Sequence, residues 1–224
     1  MKIGVMVDFD GTISATDASY AILDRFADGD WLSIEKRAYD HEISILDALK
    51  LQTGMIRCSP EEAEKYLIET IELRPGFREF AGFCEQSGIP LEICSDGFGW
   101  SIEVLLRHWD LDRIPWTSNH TVPDSEGWKI EFRHRRENCP INANCKCSHL
   151  WKMRERVDKV IFIGDGTTDE CVSREADIVF ARDKLLELCK QNGIDCIPWT
   201  RWEEVLGYLR SFIFSWGTEL KQGA

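Results

Sequence analysis

The sequence has no long apolar run. Nowhere do its 224 residues approach the ~18 consecutive apolar residues that a membrane-spanning helix needs. We also expect no secretory signal, because the apolar stretch at 3–7 is too short and ends at Asp8. We therefore expect a cytoplasmic protein that has no membrane partner.

Positive charge is also scarce. Lys and Arg total 27 against 39 Asp and Glu, which gives a formal net charge of −12. This balance argues against general binding to nucleic acid or to an anionic membrane. An anionic substrate would need a local basic pocket. With 43% hydrophobic residues and neither repeats nor low-complexity segments, the chain is typical of a globular protein with a sizeable core.

The order of the predicted elements indicates an α/β fold. An apolar, β-rich stretch at 3–9 predicts a buried strand, and helical periodicity follows it. From Pro75 onward helices and strands alternate, which favours a parallel sheet with helices on its faces. The predicted helices of this part lie at 76–87, 99–109, 184–191 and 201–214, and the strands at 91–94, 160–163, 178–180 and 194–198.

Two segments interrupt this core. Residues 14–73 are expected to form a helical cap of three or four helices, inserted after the first strand. Within it, S-P-E-E at 59–62 is a strong helix start, with an N-cap serine, a proline and acids in the first turn. The core would then comprise 1–13 and 74–224, with an insertion at about 117–147 that holds a hairpin strand near 128–132 and a loop.

Polar clusters follow three of the predicted strands. They are D-F-D-G-T at 8–12, S-D-G at 95–97 and G-D-G-T-T-D at 164–169. In open α/β sheets, sites gather at the carboxyl ends of the strands. Four carboxylates in one crevice would repel one another, and a hard cation with oxygen ligands, such as Mg²⁺, resolves that repulsion.

The D-x-D spacing has its own consequence. Residues two apart on a strand point to the same side, so Asp8 and Asp10 face one site. One can attack a substrate while the other handles a proton. Gly11 and Thr12 then offer backbone N–H groups and a hydroxyl, which suit a phosphate.

These ordered motifs resemble the haloacid dehalogenase (HAD) superfamily of phosphatases, in its phosphoserine-phosphatase-like subgroup. The resemblance covers about 1–13 and 74–200 and implies a Rossmann-like parallel core with a helical cap. It also implies hydrolysis of a small phosphorylated metabolite through an aspartyl-phosphate intermediate.

The resemblance also assigns roles to individual residues by position. Asp8 matches the nucleophile and Asp10 the acid and base. Ser95 matches the phosphoryl binder. Asp165 matches a magnesium ligand, with an Asp8 oxygen and the Asp10 carbonyl, and Asp169 the second acid of that motif.

The same resemblance assigns the remaining site residues. Thr12, Asp17, Asp96 and Gly97 match positions that line the substrate, although Asp96 stands where glycine is frequent and its charge must point away from the phosphate. The catalytic lysine is expected near the start of the helix before the G-D-x-x-x-D strand. Lys146 and Lys152 are both candidates. We favour Lys146, because Ser148 is predicted to be the N-cap and places Lys146 just before the helix.

Two departures bear on the substrate. Phosphoserine phosphatases carry a glutamate nine residues after the nucleophile, where this chain has Asp17, and an arginine in the cap. The corresponding stretch at 46–56 has no arginine. A buried substrate carboxylate without a bidentate partner would be costly. The loop Cys139-x5-Cys145-Lys146-Cys147 and the R-P-G-F-R-E-F stretch at 74–80 are similar instead to the phosphatase family of bacterial methionine salvage, which acts on 2-hydroxy-3-keto-5-methylthiopentenyl-1-phosphate.

The cysteine loop has three interpretations. Nine cysteines without a secretory signal indicate reduced thiols or metal ligands rather than a disulfide framework. Cys139, Cys145 and Cys147 can pack the loop, can bind Zn²⁺ or a similar soft metal, or can form a disulfide. Their C-x-C spacing differs from the usual zinc knuckle.

Two other functional classes, a phosphotransferase and a silent binding protein, remain open at this stage, beside the alternative substrate phosphoserine. A phosphotransferase on the same core would pass the phosphoryl group to an alcohol instead of water, and a phosphoserine phosphatase would differ only in substrate. A silent HAD-fold binding protein would use the cysteine loop alone, but the intact Asp8, Asp10 and Asp165 argue against it.

Overall fold

The protein is built on a mixed, mostly parallel sheet. The computed structural model describes residues 1–136, 139 and 143–222, with the backbone alone for 213–222. Within these residues the sheet has seven strands in the order β4-β3-β2-β1-β5-β6-β7. All neighbours pair in parallel except β3 and β4, which are antiparallel. The strands are β1 (Ile3–Val7), β2 (Leu91–Phe98), β3 (Trp116–Val122), β4 (Lys129–Glu131), β5 (Lys159–Gly164), β6 (Ile178–Ala181) and β7 (Ile197–Pro198).

Ten α-helices of the described chain surround this sheet or follow its first strand. They are α1 (Ala18–Phe26), α2 (Trp31–Tyr39), α3 (Ile45–Gly54), α4 (Pro60–Thr70), α5 (Phe77–Gln86), α6 (Gly99–His108), α7 (Lys146–Arg154), α8 (Glu170–Glu175), α9 (Asp183–Asn192) and α10 (Trp202–Gln222). A single 3₁₀ turn, Thr167–Asp169, precedes α8. In the part of the chain that is described, no helix combines the length and apolarity needed to cross a bilayer.

The alternation of side chains on β1 explains the layered architecture. All five residues of β1 are buried. Val5 and Val7 join one hydrophobic cluster, with Phe77 of α5, whereas Met6 joins a second cluster, with Leu150 of α7. Successive strand residues point to opposite faces, so a strand buried throughout requires helices on both sides. The predicted α/β fold is thereby confirmed.

The segment at 14–73 contains four helices, α1 to α4. The predicted start of α4 is confirmed, with Pro60 as the first helical residue. The Ser59 hydroxyl accepts from the Glu62 backbone N–H, and the Glu62 carboxylate accepts from the Ser59 backbone N–H. Ser14 forms an antiparallel bridge with Leu73, so the two ends of the segment are adjacent. Such a closed insertion suits a cap, and the division into core and cap stays a prediction.

The strand β3 was not predicted from the sequence. Its residues include polar side chains that are nevertheless buried, namely Ser118, Asn119 and Thr121. They lack the apolar alternation that marks a half-buried strand. Tertiary hydrogen bonds to β2 stabilise Ser118 and Asn119 instead. The Ser118 hydroxyl donates to Gly97 O at 2.6 Å, and the Asn119 amide donates to Asp96 O at 2.6 Å. The predicted hairpin strand is β4, and it pairs with β3. Of the predicted loop that follows, residues 137–138 and 140–142 lie outside the described residues.

Candidate active site

The predicted catalytic residues follow three neighbouring strands. Val7 at the end of β1 pairs with Ile93 of β2 and with Ile163 of β5. The residues just beyond these pairs therefore lie side by side at one edge of the sheet. Asp8 is next to β5, because its backbone N–H donates to Ile163 O at 2.9 Å. The sheet order thus brings together the three motifs that are far apart in sequence.

Lys146 lies at the centre of this edge. Its side chain is completely buried, and its Nζ is 2.6 Å from Asp8 Oδ1 and 2.5 Å from Asp169 Oδ1. Burial alone would lower the pKa of Lys146, but the charges of Asp169 and Asp8 outweigh it and raise the pKa well above its usual range. The ammonium is therefore a fixed positive charge. Lys152, the other candidate, is exposed.

The position of Lys146 in α7 differs from the prediction. The helix begins at Lys146 with Cys145 as its N-cap, so Ser148 is the third helical residue and the predicted N-cap was wrong. The Ser148 hydroxyl donates to Cys145 O at 2.7 Å instead of capping the N–H groups. A serine inside the first turn can bond back to the preceding carbonyl, and sequence alone does not distinguish this from a cap.

Asp169 holds both Lys146 and the loop after β5. This carboxylate is completely buried. Its Oδ1 accepts from Lys146, while its Oδ2 accepts from the backbone N–H groups of Asp165, at 3.1 Å, and Gly166, at 3.0 Å. Asp169 therefore ties the charged residue of α7 to the backbone next to Asp165.

Three carboxylates at this edge can hold a metal ion. Asp8, Asp165 and Asp169 each offer one oxygen, and these oxygens lie within 4.8 Å of one another. Burial and then the charge of Asp169 raise the pKa of Asp8, and the same two causes raise the pKa of Asp165 to about 7. One lysine does not balance three neighbouring carboxylates, of which two are buried and Asp165 is half-buried, so a hard cation with oxygen ligands fits the site.

Asp10 lies beside this cluster, against the start of α1. Its Oδ1 accepts from the Ala18 backbone N–H at 2.8 Å. Burial and then the charge of Asp17 raise the pKa of Asp10. A Cβ added to Gly97 would collide with Asp10 Oδ2 and would lie 3.2 Å from Ser95 Oγ. The Asp10 carboxylate therefore faces the end of β2, where Ser95 lies.

Gly11 permits this close packing of the first and third motifs. Its φ is +73°, a conformation that L side chains rarely adopt, and a Cβ there would collide with the Asp165 carboxylate. The next residue, Thr12, is completely buried and its hydroxyl donates to Asp165 Oδ1. In this structure Thr12 supports Asp165, and its predicted contact with substrate stays a prediction.

The residues at the end of β2 have separate roles. Ser95 is buried, and its Oγ accepts from the Gly97 N–H at 2.9 Å. A hydroxyl beside backbone N–H groups at the end of a strand suits a phosphoryl oxygen. Asp96 points elsewhere, because its Oδ1 accepts from the Asn144 N–H at 2.7 Å. Its Oδ1 is directed at the loop before α7, while its orientation relative to a phosphate and the substrate contacts by Asp96 and Gly97 stay predictions.

Arg74 is a site residue that sequence reasoning missed. Its guanidinium donates to Gly11 O at 2.6 Å and to Thr12 O at 3.1 Å, so it fixes the loop after Asp10. Its backbone N–H donates to Ile13 O at 2.8 Å. A signal was present, since Arg74 begins the R-P-G-F-R-E-F stretch that carried part of the family resemblance.

The cysteines of the loop pack against the second hydrophobic cluster. Cys145 and Cys147 are buried thiols that share this cluster with Leu150. Burial and then nearby Cys145 raise the pKa of Cys147 to about 12, so the protonated thiol is favoured. No cysteine belongs to a set of three metal-ligating atoms in the region that the structure describes. The zinc alternative is not supported, and packing accounts for the thiols that are placed.

A family model described as putative phosphatase matches residues 3–192. The chain belongs to this phosphatase family. Relatives from Bacillus velezensis and Geobacillus thermodenitrificans are both named 2-hydroxy-3-keto-5-methylthiopentenyl-1-phosphate phosphatase. The first is 30% identical over 90% of this chain and 87% of its own length, and the second is 32% identical over 93% and 96%.

Solved phosphoserine phosphatases share the fold. A substrate-bound complex has a TM-score of 0.69 at 21% identity and covers 92% of this chain and 97% of that one. A phospho-aspartyl intermediate analogue has a TM-score of 0.68 at 20% identity, with 92% and 98% covered. The family confirms the expected phosphatase, and the solved structures confirm the expected HAD-like fold.

Proposed function

We propose that this phosphatase hydrolyses a small phosphomonoester, with Asp8 as nucleophile and Asp10 as acid and base. The observation that carries the proposal is the completely buried Lys146, held between Asp8 and Asp169 at the edge where Ser95 and Asp165 also lie. Phosphoryl transfer depends mostly on positioning and on neutralising charge. A fixed ammonium beside a carboxylate nucleophile supplies both.

The reaction would proceed in two displacements at phosphorus. An oxygen of Asp8 attacks phosphorus, the bond from phosphorus to the substrate oxygen breaks, and Asp10 gives that oxygen a proton. Asp10 then takes a proton from water, which attacks phosphorus and releases phosphate from Asp8. Ser95, the nearby backbone N–H groups and Lys146 bind the phosphoryl oxygens as charge moves onto them.

Mg²⁺ is the proposed cofactor. Asp8 and Asp165 would hold it, joined by the Asp10 carbonyl. Asp169 already has a partner on each oxygen and would orient Lys146 and the Asp165 loop. When bound, the ion supplies positive charge to the phosphoryl oxygens.

The substrate is proposed from the helical segment as well as from the relatives. Gln52 of α3 is buried, and its amide donates to Glu35 at 2.8 Å, as does the Tyr20 hydroxyl. The negative charge of Glu35 acts on Asp17, and the negative charge of Asp17 acts in turn on Asp10. This side of the site therefore presents a carboxylate rather than a cation, and a substrate carboxylate such as that of phosphoserine would be repelled.

The relatives' substrate fits this environment. By its name, 2-hydroxy-3-keto-5-methylthiopentenyl-1-phosphate carries hydroxyl, keto and methylthio groups and no carboxylate. We therefore propose this compound, or a phosphate ester of the same class, as the substrate. The sequence departures at 46–56 and Asp17 agree with that choice.

Two assays test the proposal. Hydrolysis of p-nitrophenyl phosphate should require Mg²⁺, cease in a chelator and be lost in Asp8→Asn, while the exposed carboxylate variant Asp112→Asn keeps it. A panel of metabolite phosphates should give a higher kcat/KM for the hydroxy-keto ester than for phosphoserine. Full activity in Asp8→Asn would contradict the assignment of Asp8 as nucleophile, and a higher kcat/KM for phosphoserine would contradict the proposed substrate.

A further inference from the structure

The start of α7 has no ordinary cap, although it carries the catalytic lysine. Lys146 is the first helical residue, and the N-cap, Cys145, makes no side-chain hydrogen bond to the helix N–H groups of the described chain. A catalytic group must be held within about 0.5 Å of its productive position, and a loop does this only when other residues brace it. Another contact must therefore fix the chain as it enters α7.

Asn144, two residues before Lys146, makes that contact. It is completely buried, and its side-chain amide donates to Ser95 O at 2.8 Å. Its Oδ1 lies 2.8 Å from His149 Nε2, and its backbone N–H donates to Asp96 Oδ1 at 2.7 Å. We call these three hydrogen bonds, from Asn144 to Ser95, Asp96 and His149, the Asn144 clasp.

The clasp also fixes the tautomer of His149. The Asn144 amide nitrogen faces a carbonyl oxygen, so Oδ1 must be the atom that faces the imidazole. His149 Nε2 therefore carries the proton and donates it. His134, whose ring centroid is 5.1 Å from that of His149, and Lys152 are the charged or titratable groups whose charge acts on this ring.

The geometry joins the two phosphate-binding elements. Asn144 and His149 stand immediately before the N-cap and at the fourth helical position, the same two positions that a hydrophobic staple uses to fix the angle at which a chain enters a helix. Here a hydrogen bond between Asn144 and His149 replaces the hydrophobic contact, and the Asn144 amide also donates to Ser95 O. We propose that Asn144 is a positioning residue that sets the spacing between Lys146 and Ser95, with His149 and Asp96 holding it in place.

This inference rests on the proposed function, since the spacing matters only if Lys146 and Ser95 bind one phosphoryl group. Removing the clasp should then lower turnover by misplacing Lys146, without removing any group that contacts substrate. Misplacement by about 1 Å can cost on the order of 100-fold in rate. An ordinary helix-start contact would instead lower stability and leave kcat/KM unchanged.

The test compares Asn144→Ala, His149→Ala and the double variant in hydrolysis of p-nitrophenyl phosphate. Each single change should reduce kcat/KM by on the order of 100-fold, and the double variant should lose no more than Asn144→Ala, because residues that act as a unit are not additive. Inhibition by orthovanadate, which mimics the transferring phosphoryl group, should weaken in parallel. His149→Gln keeps an amide donor for Asn144 and should recover most of the loss that His149→Ala causes.

A stability control and two contrary results complete the design. Val205→Ala, which opens a cavity in the distant α10, should lower the melting temperature and leave kcat/KM unchanged. If Asn144→Ala does not fold, comparing kcat/KM of His149→Ala with that of His149→Gln is sufficient to test the proposal. Additive losses, or no difference between the alanine and glutamine variants, would overturn the clasp. Full activity in Lys146→Ala would overturn the proposed function itself, so the two failures are distinguishable.

Discussion

Replacing Lys146 by alanine removes a buried positive charge from the site. The ammonium is completely buried and contacts Asp8 at 2.6 Å and Asp169 at 2.5 Å. Its removal leaves two buried carboxylates facing each other without a positive partner. Lys152→Ala is the matched control, because that lysine lies on the same helix and is exposed.

The expected losses can be stated for both rate and stability. Losing one preorganised charge contact to the transition state costs roughly 10²–10³-fold in kcat, or about 3–4 kcal/mol. Breaking a buried ion pair from one side costs about 3–5 kcal/mol of unfolding free energy. Since domains are stable by about 5–15 kcal/mol, a large part of Lys146→Ala should remain folded, and bound Mg²⁺ should not restore its rate.

The assay measures kcat and KM for p-nitrophenyl phosphate at saturating Mg²⁺, with thermal melts of each variant. We expect Lys146→Ala to lose turnover while folded and Lys152→Ala to match the unchanged protein. If Lys152→Ala is the inactive variant, or if Lys146→Ala loses rate only in proportion to its unfolded fraction, the assignment of Lys146 is wrong.

Three further predictions concern the rest of the chain. Replacing residues 14–73 by a short linker should leave hydrolysis of p-nitrophenyl phosphate and abolish discrimination in the metabolite panel, and a truncated core that still discriminates would contradict the cap. Burial lowers the pKa of His149 to about 4. The neutral His149 ring therefore contributes its full stabilisation of the folded protein above about pH 6.5, and this contribution is lost as the pH falls toward 4. Urea titrations should show the unchanged protein losing stability relative to His149→Gln in that window, by at most about 1.4 kcal/mol per pH unit, and equal slopes would contradict this. Cys145→Ser and Cys147→Ser should lower the melting temperature through lost packing, and elemental analysis should find no stoichiometric zinc; one zinc per chain, lost in these variants, would restore the metal interpretation.

The sequence was most informative where a local pattern carries the structure. The buried strand at β1, the helix start at Ser59 and the three strand-end motifs each depend on neighbouring residues, and each was found. The sheet then places the motifs together, because sites in α/β folds gather at the carboxyl ends of strands. A parallel core with Asp8, Ser95 and Asp165 at one edge could therefore be predicted.

Contacts between distant segments could not be predicted in the same way. Lys146 and Asp8 are 138 residues apart, and only the family resemblance, not periodicity, suggested their pairing. Asn144 and Arg74 donate to backbone carbonyl groups of other segments. Since every residue has such a carbonyl, the sequence does not indicate which one is the acceptor. The strand β3 was missed because its buried polar residues break the apolar alternation, and Ser118 and Asn119 instead donate tertiary hydrogen bonds to backbone oxygens of β2.

The most direct test of the account is to find the phosphoryl group on the protein. In Asp10→Asn, the first displacement on p-nitrophenyl phosphate should still occur, since p-nitrophenolate leaves without a proton, but water should no longer be activated. Rapid quenching and borohydride reduction would convert a phosphorylated aspartate to homoserine, which peptide mapping locates. We predict homoserine at position 8. Its appearance at another residue, or phosphate release from this variant with no modified residue, would contradict the central claim.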